Sequence, residues 1–198
     1  MNNPLFNKQP NLKIGLINIF VQYLLFSCSS EQLKTVEFED IQITIPKNWN
    51  LKKGEGIDSG IWFITSTNND TIFIDYGKYA DSFEEVIQVR DISRKKEYDS
   101  LGIKYPKKMV FSETSAIDEA QGLYLKEYFY YDTISGKKAK LGFPKFAKKG
   151  RCLLHIPKID NQGNKLSIYI SNADEPTQKQ ILNIFKSIRF KSSKQNFP

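Results

Sequence analysis

Apolar and polar residues alternate in short runs through most of the chain, and this period of two constrains the fold more than any other feature. Successive side chains of a strand point to opposite faces, so each run offers one face to a core and one to water or a covering layer. Val36-Glu37-Phe38 alternates, the phase slips at Glu39-Asp40, and Ile41-Gln42-Ile43-Thr44-Ile45 alternates again before Pro46. Two short strands joined by a turn or bulge are predicted there. The β-rich runs 61–65 and 71–76 flank Ser66-Thr67-Asn68-Asn69-Asp70, a hairpin loop by composition. Further strands are predicted at 109–113, 123–131, 139–143, 152–156 and 166–170. Two segments break the period. Ser82 with Glu85 forms a capping-box pattern ahead of Val86 and Ile87, and Asp174 with Pro176 opens a stripe of Ile181, Leu182, Phe185 and Ile188 at helical spacing. The sum is an α+β fold: a largely antiparallel sheet of about seven strands with an amphipathic C-terminal helix. With 198 residues, 40% of them hydrophobic and 26% charged, one ordinary core suffices, and disordered, collagen-like and disulfide-scaffold classes are excluded.

The N-terminus follows a different rule. Residues 1–13 carry two lysines and no acid, the apolar run 14–26 follows, and Ser27-Cys28-Ser29-Ser30 closes it, which is the charged, apolar, small-residue order of a secretory signal. An apolar run of 13 residues is short of the roughly 20 that a spanning helix needs. Leu25-Phe26-Ser27-Cys28 resembles a bacterial lipobox, and the resemblance implies cleavage before Cys28 and acylation of its thiol and new amine. The expected organisation is a signal peptide at 1–27, a tether at 28–35, a domain at 36–190 and a polar tail at 191–198. Localisation would be the bacterial cell envelope, membrane-anchored on the periplasmic or outer-membrane side. Seven tether residues, 29–35, reach about 23 Å when extended. Loss of residues 1–27 leaves 171 residues with 27 basic and 22 acidic side chains, a net charge of +5. Cys152 is then the one thiol not acylated, so no intrachain disulfide forms.

Ile43-Thr44-Ile45-Pro46-Lys47-Asn48-Trp49 at one end, and Ile184-Phe185-Lys186-Ser187-Ile188-Arg189-Phe190 closing an amphipathic helix at the other, resemble the opening strand and final helix of PsbP-like (Mog-type) domains. The resemblance spans most of 36–190 and implies an α/β/α sandwich. Family members serve as a photosystem extrinsic subunit, a Ran-binding protein and bacterial envelope proteins. No functional residue of theirs matches a position here, so no activity is carried over.

Cys152 and His155, a thiol and the chain's one imidazole, are the residues from which an envelope hydrolase could be assembled. Strand parity sets them on opposite faces, and a free cysteine is commonly a buried core residue. The glycines at 54, 56 and 60 make neither a phosphate-binding loop nor a dinucleotide fingerprint. No metal-ligand spacing and no cofactor motif is found. Tyr124, Tyr128 and Tyr130 with Lys126 fall on one face of the predicted 123–131 strand, a sheet-to-helix cover or a ligand groove. Asp70-Thr71-Ile72 and Asp132-Thr133-Ile134 resemble a short bacterial O-glycosylation acceptor pattern. Lys137, Lys138, Lys140, Lys145, Lys148, Lys149 and Arg151 fall within 15 residues that contain no acid. This local charge suits an anionic surface, whether lipid headgroups or an envelope polymer, and no nucleic-acid recognition motif accompanies it. The expectation is a membrane-anchored, non-catalytic binding or scaffold module. Its partners would be the membrane, through the lipid anchor, and an envelope protein or anionic polymer.

Overall fold

The computed structural model describes residues 32–83 and 87–191. The signal segment 1–27, Cys28, the start of the tether and the tail from 192 onward lie outside the described residues. The alternating runs form a seven-stranded antiparallel sheet in the order β3-β4-β5-β11-β10-β9-β8. Its strands are β3 (Asn50–Lys53), β4 (Gly60–Thr65), β5 (Thr71–Gly77), β8 (Glu127–Ile134), β9 (Lys137–Pro144), β10 (Arg151–Ile156) and β11 (Lys165–Ser171). A second sheet joins β1 (Leu33–Phe38), β2 (Ile41–Pro46) and β12 (Arg189–Phe190) in the order β1-β2-β12. A third pairs β6 (Gln88–Asp91) and β7 (Met109–Ser112) in parallel, with helices α1 (Ile92–Ser100) and α2 (Ser115–Ala120) around it. Helix α3 (Glu175–Ser187) follows β11.

Parity decides which side chains meet α3. Residues 152, 154 and 156 of β10 and 166, 168 and 170 of β11 share one face of the large sheet, and all are buried in a single core with Ile181, Ile184 and Phe185 of α3 and Ile41, Ile43 and Ile45 of β2. Asp174 caps α3 by accepting from the Thr177 amide at 3.0 Å, with Pro176 in the first turn, as its sequence predicts. Ser187 at the other end bonds the Thr44 amide at 2.9 Å, which docks α3 onto β2. The opposite face of the large sheet carries an aromatic ladder: Phe63 against Phe73 at 5.2 Å, Phe73 stacked on Tyr169 at 5.0 Å, and Phe83 edge-on to Tyr169 at 5.4 Å.

Four local expectations change. The first strand starts earlier than expected, because Leu33, Lys34 and Thr35 already pair with Pro46, Ile45 and Thr44 as the start of β1. β1 therefore begins at Leu33 rather than Val36. No helix starts at Ser82: Asp81 turns the chain by accepting the Phe83 amide at 2.9 Å, Phe83 takes a positive φ of 56°, and 88–91 form strand β6. Glu85, Val86 and the rest of the 84–86 segment lie outside the described residues. The helix begins later, at Ile92, with Asp91 as its cap. The strand expected at 123–131 starts only at Glu127, because 121–126 form turns around Gly122 at a φ of 60°.

Candidate functional site

Cys152 is fully buried on the α3 face, and burial together with the nearby charge of Glu127 pushes its thiol up to about 12. His155 points from the other face. Its partner is Ser167, opposite it on β11, with Nδ1 and Oγ 2.9 Å apart. The Ser167 hydroxyl donates to the carbonyl of Asp81 at 2.6 Å, so it has no proton left for the ring and accepts from a protonated Nδ1. Imidazole is thus the donor and serine the acceptor, the reverse of a nucleophile and its general base. The chain of bonds fastens the segment that carries Asp81 and Phe83 to the sheet.

Burial holds His155 below its ordinary value of 6.5, and the charges of Lys165 and Lys140 add to this against an opposing contribution from Asp81. The unfolded chain therefore takes up a proton at His155 before the folded one does. Its contribution to stability is complete above about pH 6.5 and is lost as the pH falls through 6.5 toward the lower folded value. Urea midpoints measured between pH 7.5 and 5 are expected to fall less steeply in His155→Gln than in the wild type, whereas parallel profiles would show that His155 titrates alike in both states.

The basic stretch 137–151 is continuous in sequence but divided in space. The row Leu141, Leu154, Ile168, Ile74, Trp62 and Lys53 crosses the large sheet from β9 to β3. Lys137 and Lys138 lie to one side of that row, at the end of the strands that holds β10 residue Ile156 and β5 residue Gly77. Lys137 reaches the Phe190 ring at 5.3 Å, and Lys138 covers Tyr131 at 4.7 Å. Lys140 lies midway over Phe129 at 4.8 Å. Lys145, Lys148, Lys149 and Arg151 occupy the other end, with Ser171, Thr71, Thr65 and Asn50. Leu33 pairs with Pro46, one tight turn from Asn50, so the chain enters the domain at this same end.

These four cations differ in what they hold. Lys145 donates to the carbonyls of Gly122 at 2.7 Å and Leu123 at 3.1 Å, closing the turn at 122–125 onto the β9–β10 loop. Lys148 lies near the Asp174 carboxylate, which the Thr177 hydrogen bonds and that charge hold below the usual range. Arg151 lies over the Phe83 ring at 5.6 Å, with its Nε 3.7 Å from the buried carboxylate of Glu127. Glu127 also accepts the Arg151 amide at 2.8 Å. Gly150 is required beside it: at a φ of 126°, an added Cβ would stand 2.9 Å from Glu127 Oε1. Around these groups opens a polar cleft of about 380 Å³, also lined by Lys108, Lys126 and Asn172. Lys108, Lys126 and Glu127 belong to this end but lie outside the 137–151 stretch. Sequence density could not have found them, because tertiary pairing brings them in.

The tyrosine face is likewise divided. Tyr128 and Tyr130 stack on Phe143 at 6.2 and 6.4 Å on the α3 side, while Tyr124 precedes the strand and lines a separate cleft of about 260 Å³ with Val89 and Leu125. Thr133 is exposed on β8, an edge strand, and Thr71 is half-buried opposite Thr65. Among the described residues no group of His, Cys, Asp and Glu could hold a metal ion, and no helix is long and apolar enough to cross a membrane. A scan against protein-family models finds no match to this chain, and neither does a search of curated proteins.

Proposed function

We propose that the protein is a bacterial envelope lipoprotein, anchored through Cys28, whose PsbP-like domain serves as a non-catalytic binding or scaffold module on an anionic surface. The observation that carries this reading is the shared end of the large sheet. Leu33, where the chain leaves the anchor segment, and the exposed Lys148 and Lys149 lie at the same end of the strands. With β1 starting at Leu33, the tether narrows to residues 29–32, which reach about 13 Å rather than 23 Å. Such a length keeps this end within about a Debye length or two of the surface that holds the anchor, where lysines still feel headgroup charge. The PsbP-like assignment is supported by the seven-stranded antiparallel sheet and the helix 175–187 that follows its last strand. Its α/β/α layering belongs to the same proposal.

Mass spectrometry of the membrane-localised protein tests the anchor. The expected N-terminal peptide begins at a diacylglyceryl-modified Cys28 and lacks residues 1–27. An unmodified peptide spanning Ser27 to Ser30 would overturn the reading.

A further inference from the structure

The β9–β10 loop carries an aromatic ring where a purely electrostatic contact would need none. Phe146 is 69% exposed at its tip, and the loop is closed beneath it by the Lys149 amide donating to the Phe146 carbonyl at 3.1 Å. The clamp from Lys145 to the 122 and 123 carbonyls sets Leu123, itself 55% exposed, against the base of the same loop. Lys148 and Lys149 follow Phe146 in the loop, Lys126 accepts the Lys145 amide through its carbonyl at 2.9 Å, and all three lysines are exposed. Among the described residues, neither Lys126 nor Lys149 has a carboxylate within ion-pair distance. Of the nearby acids, Glu127 is buried against Arg151 and Asp174 caps α3, while Glu175 is exposed in the first turn of α3. The other conspicuous apolar pair, Ile57 and Tyr79, has the opposite company. It lines a cleft at the far end of the sheet with two acids, Glu39 and Asp58, against one lysine, Lys78, a net negative charge that an anionic surface would repel.

An exposed ring and an aliphatic side chain with lysines for neighbours match a bilayer interface, where rings sit at headgroup level and ammonium groups meet phosphate. A dissolved anionic polymer would satisfy the lysines and leave Phe146 in water. We propose that Phe146, with Leu123 beside it, enters the headgroup region of an anionic phospholipid bilayer while Lys126, Lys148 and Lys149 contact the lipid phosphates. This rests on the reading of an anionic surface at the anchor end and commits it to lipid.

The test uses the whole lipoprotein reconstituted in phosphatidylglycerol vesicles or in phosphatidylcholine vesicles. Phe146→Trp places an indole at the tip, and the native Trp49 and Trp62 are both buried and give a constant background. In phosphatidylglycerol vesicles its emission is expected to shift to the blue, to be quenched by brominated lipid and to be shielded from aqueous iodide. Phosphatidylcholine vesicles, or the added changes Lys126→Gln, Lys148→Gln and Lys149→Gln, are expected to remove these effects. Each lysine near the surface contributes about a fivefold factor in contact. Shielding from iodide without quenching by brominated lipid would overturn insertion and leave the surface contact of the proposed function standing. Full access to iodide in both vesicles would overturn both. Shielding produced by soluble polyglutamate, but by neither bilayer, would make the partner a polymer and overturn the lipid assignment.

Discussion

Replacing Phe185 by alanine is expected to cost about 3–5 kcal/mol of folding free energy, a large part of what a domain of this size has to lose. Phe185 is completely buried in the middle of the core face of α3, with its ring edge-on to Phe143 of β9 at 6.3 Å. Alanine there removes most of a ring from a layer bounded by two sheets. Neither neighbour can collapse into the space, since Phe143 is already stacked on Tyr128 and Tyr130. Leu182 is only partly buried, so Leu182→Ala serves as the comparison and is expected to cost distinctly less. The two urea midpoints settle the matter. Equal midpoints would mean that α3 does not bear on the core as described.

A second large effect concerns the buried thiol. Cys152 is expected to react with a disulfide reagent more than tenfold more slowly than an exposed cysteine, because its thiol is pushed up to about 12 and only the thiolate attacks, a loss that the greater nucleophilicity of a high-pKa thiolate offsets in part. The steric barrier of a fully buried side chain adds to this. Measured in the Cys28→Ser chain, labelling is expected to speed up to the normal rate in urea. Rapid labelling of the folded protein would mark Cys152 as a reactive nucleophile and favour the hydrolase reading that pairs it with His155.

Periodicity made most of the fold legible, and local chemistry made α3 legible in detail, from its Asp174 cap to its Phe185 anchor. Where the reading went wrong, a local signal was outweighed. Ser82 and Glu85 have the spacing of a capping box, yet Asp81 accepts the Phe83 amide and the Phe83 ring packs edge-on against Tyr169. Helix α2 is only six residues long with Ile117 exposed, so it offers no apolar stripe to detect. The pairing of His155 with Ser167 depends on the register between β10 and β11, which alternation alone leaves open. Density of charge along the chain was the least reliable guide. An eight-residue strand is roughly 26 Å long, so lysines at either end of β9 are far apart, whatever their nearness in sequence.

The small sheet has a bearing on when the protein can fold. β2 is flanked on one side by β1, near the start of the domain, and on the other by β12, at its end, where the Lys191 amide also bonds the Asp40 carbonyl at 2.8 Å. A chain emerging N-terminus first from a ribosome or a membrane channel therefore exposes one edge of β2 until about residue 190 has come out. Docking of α3 by Ser187 waits for the same moment. Closure of the small sheet therefore waits for residues 187–191, well over a hundred residues after β2 itself has been made.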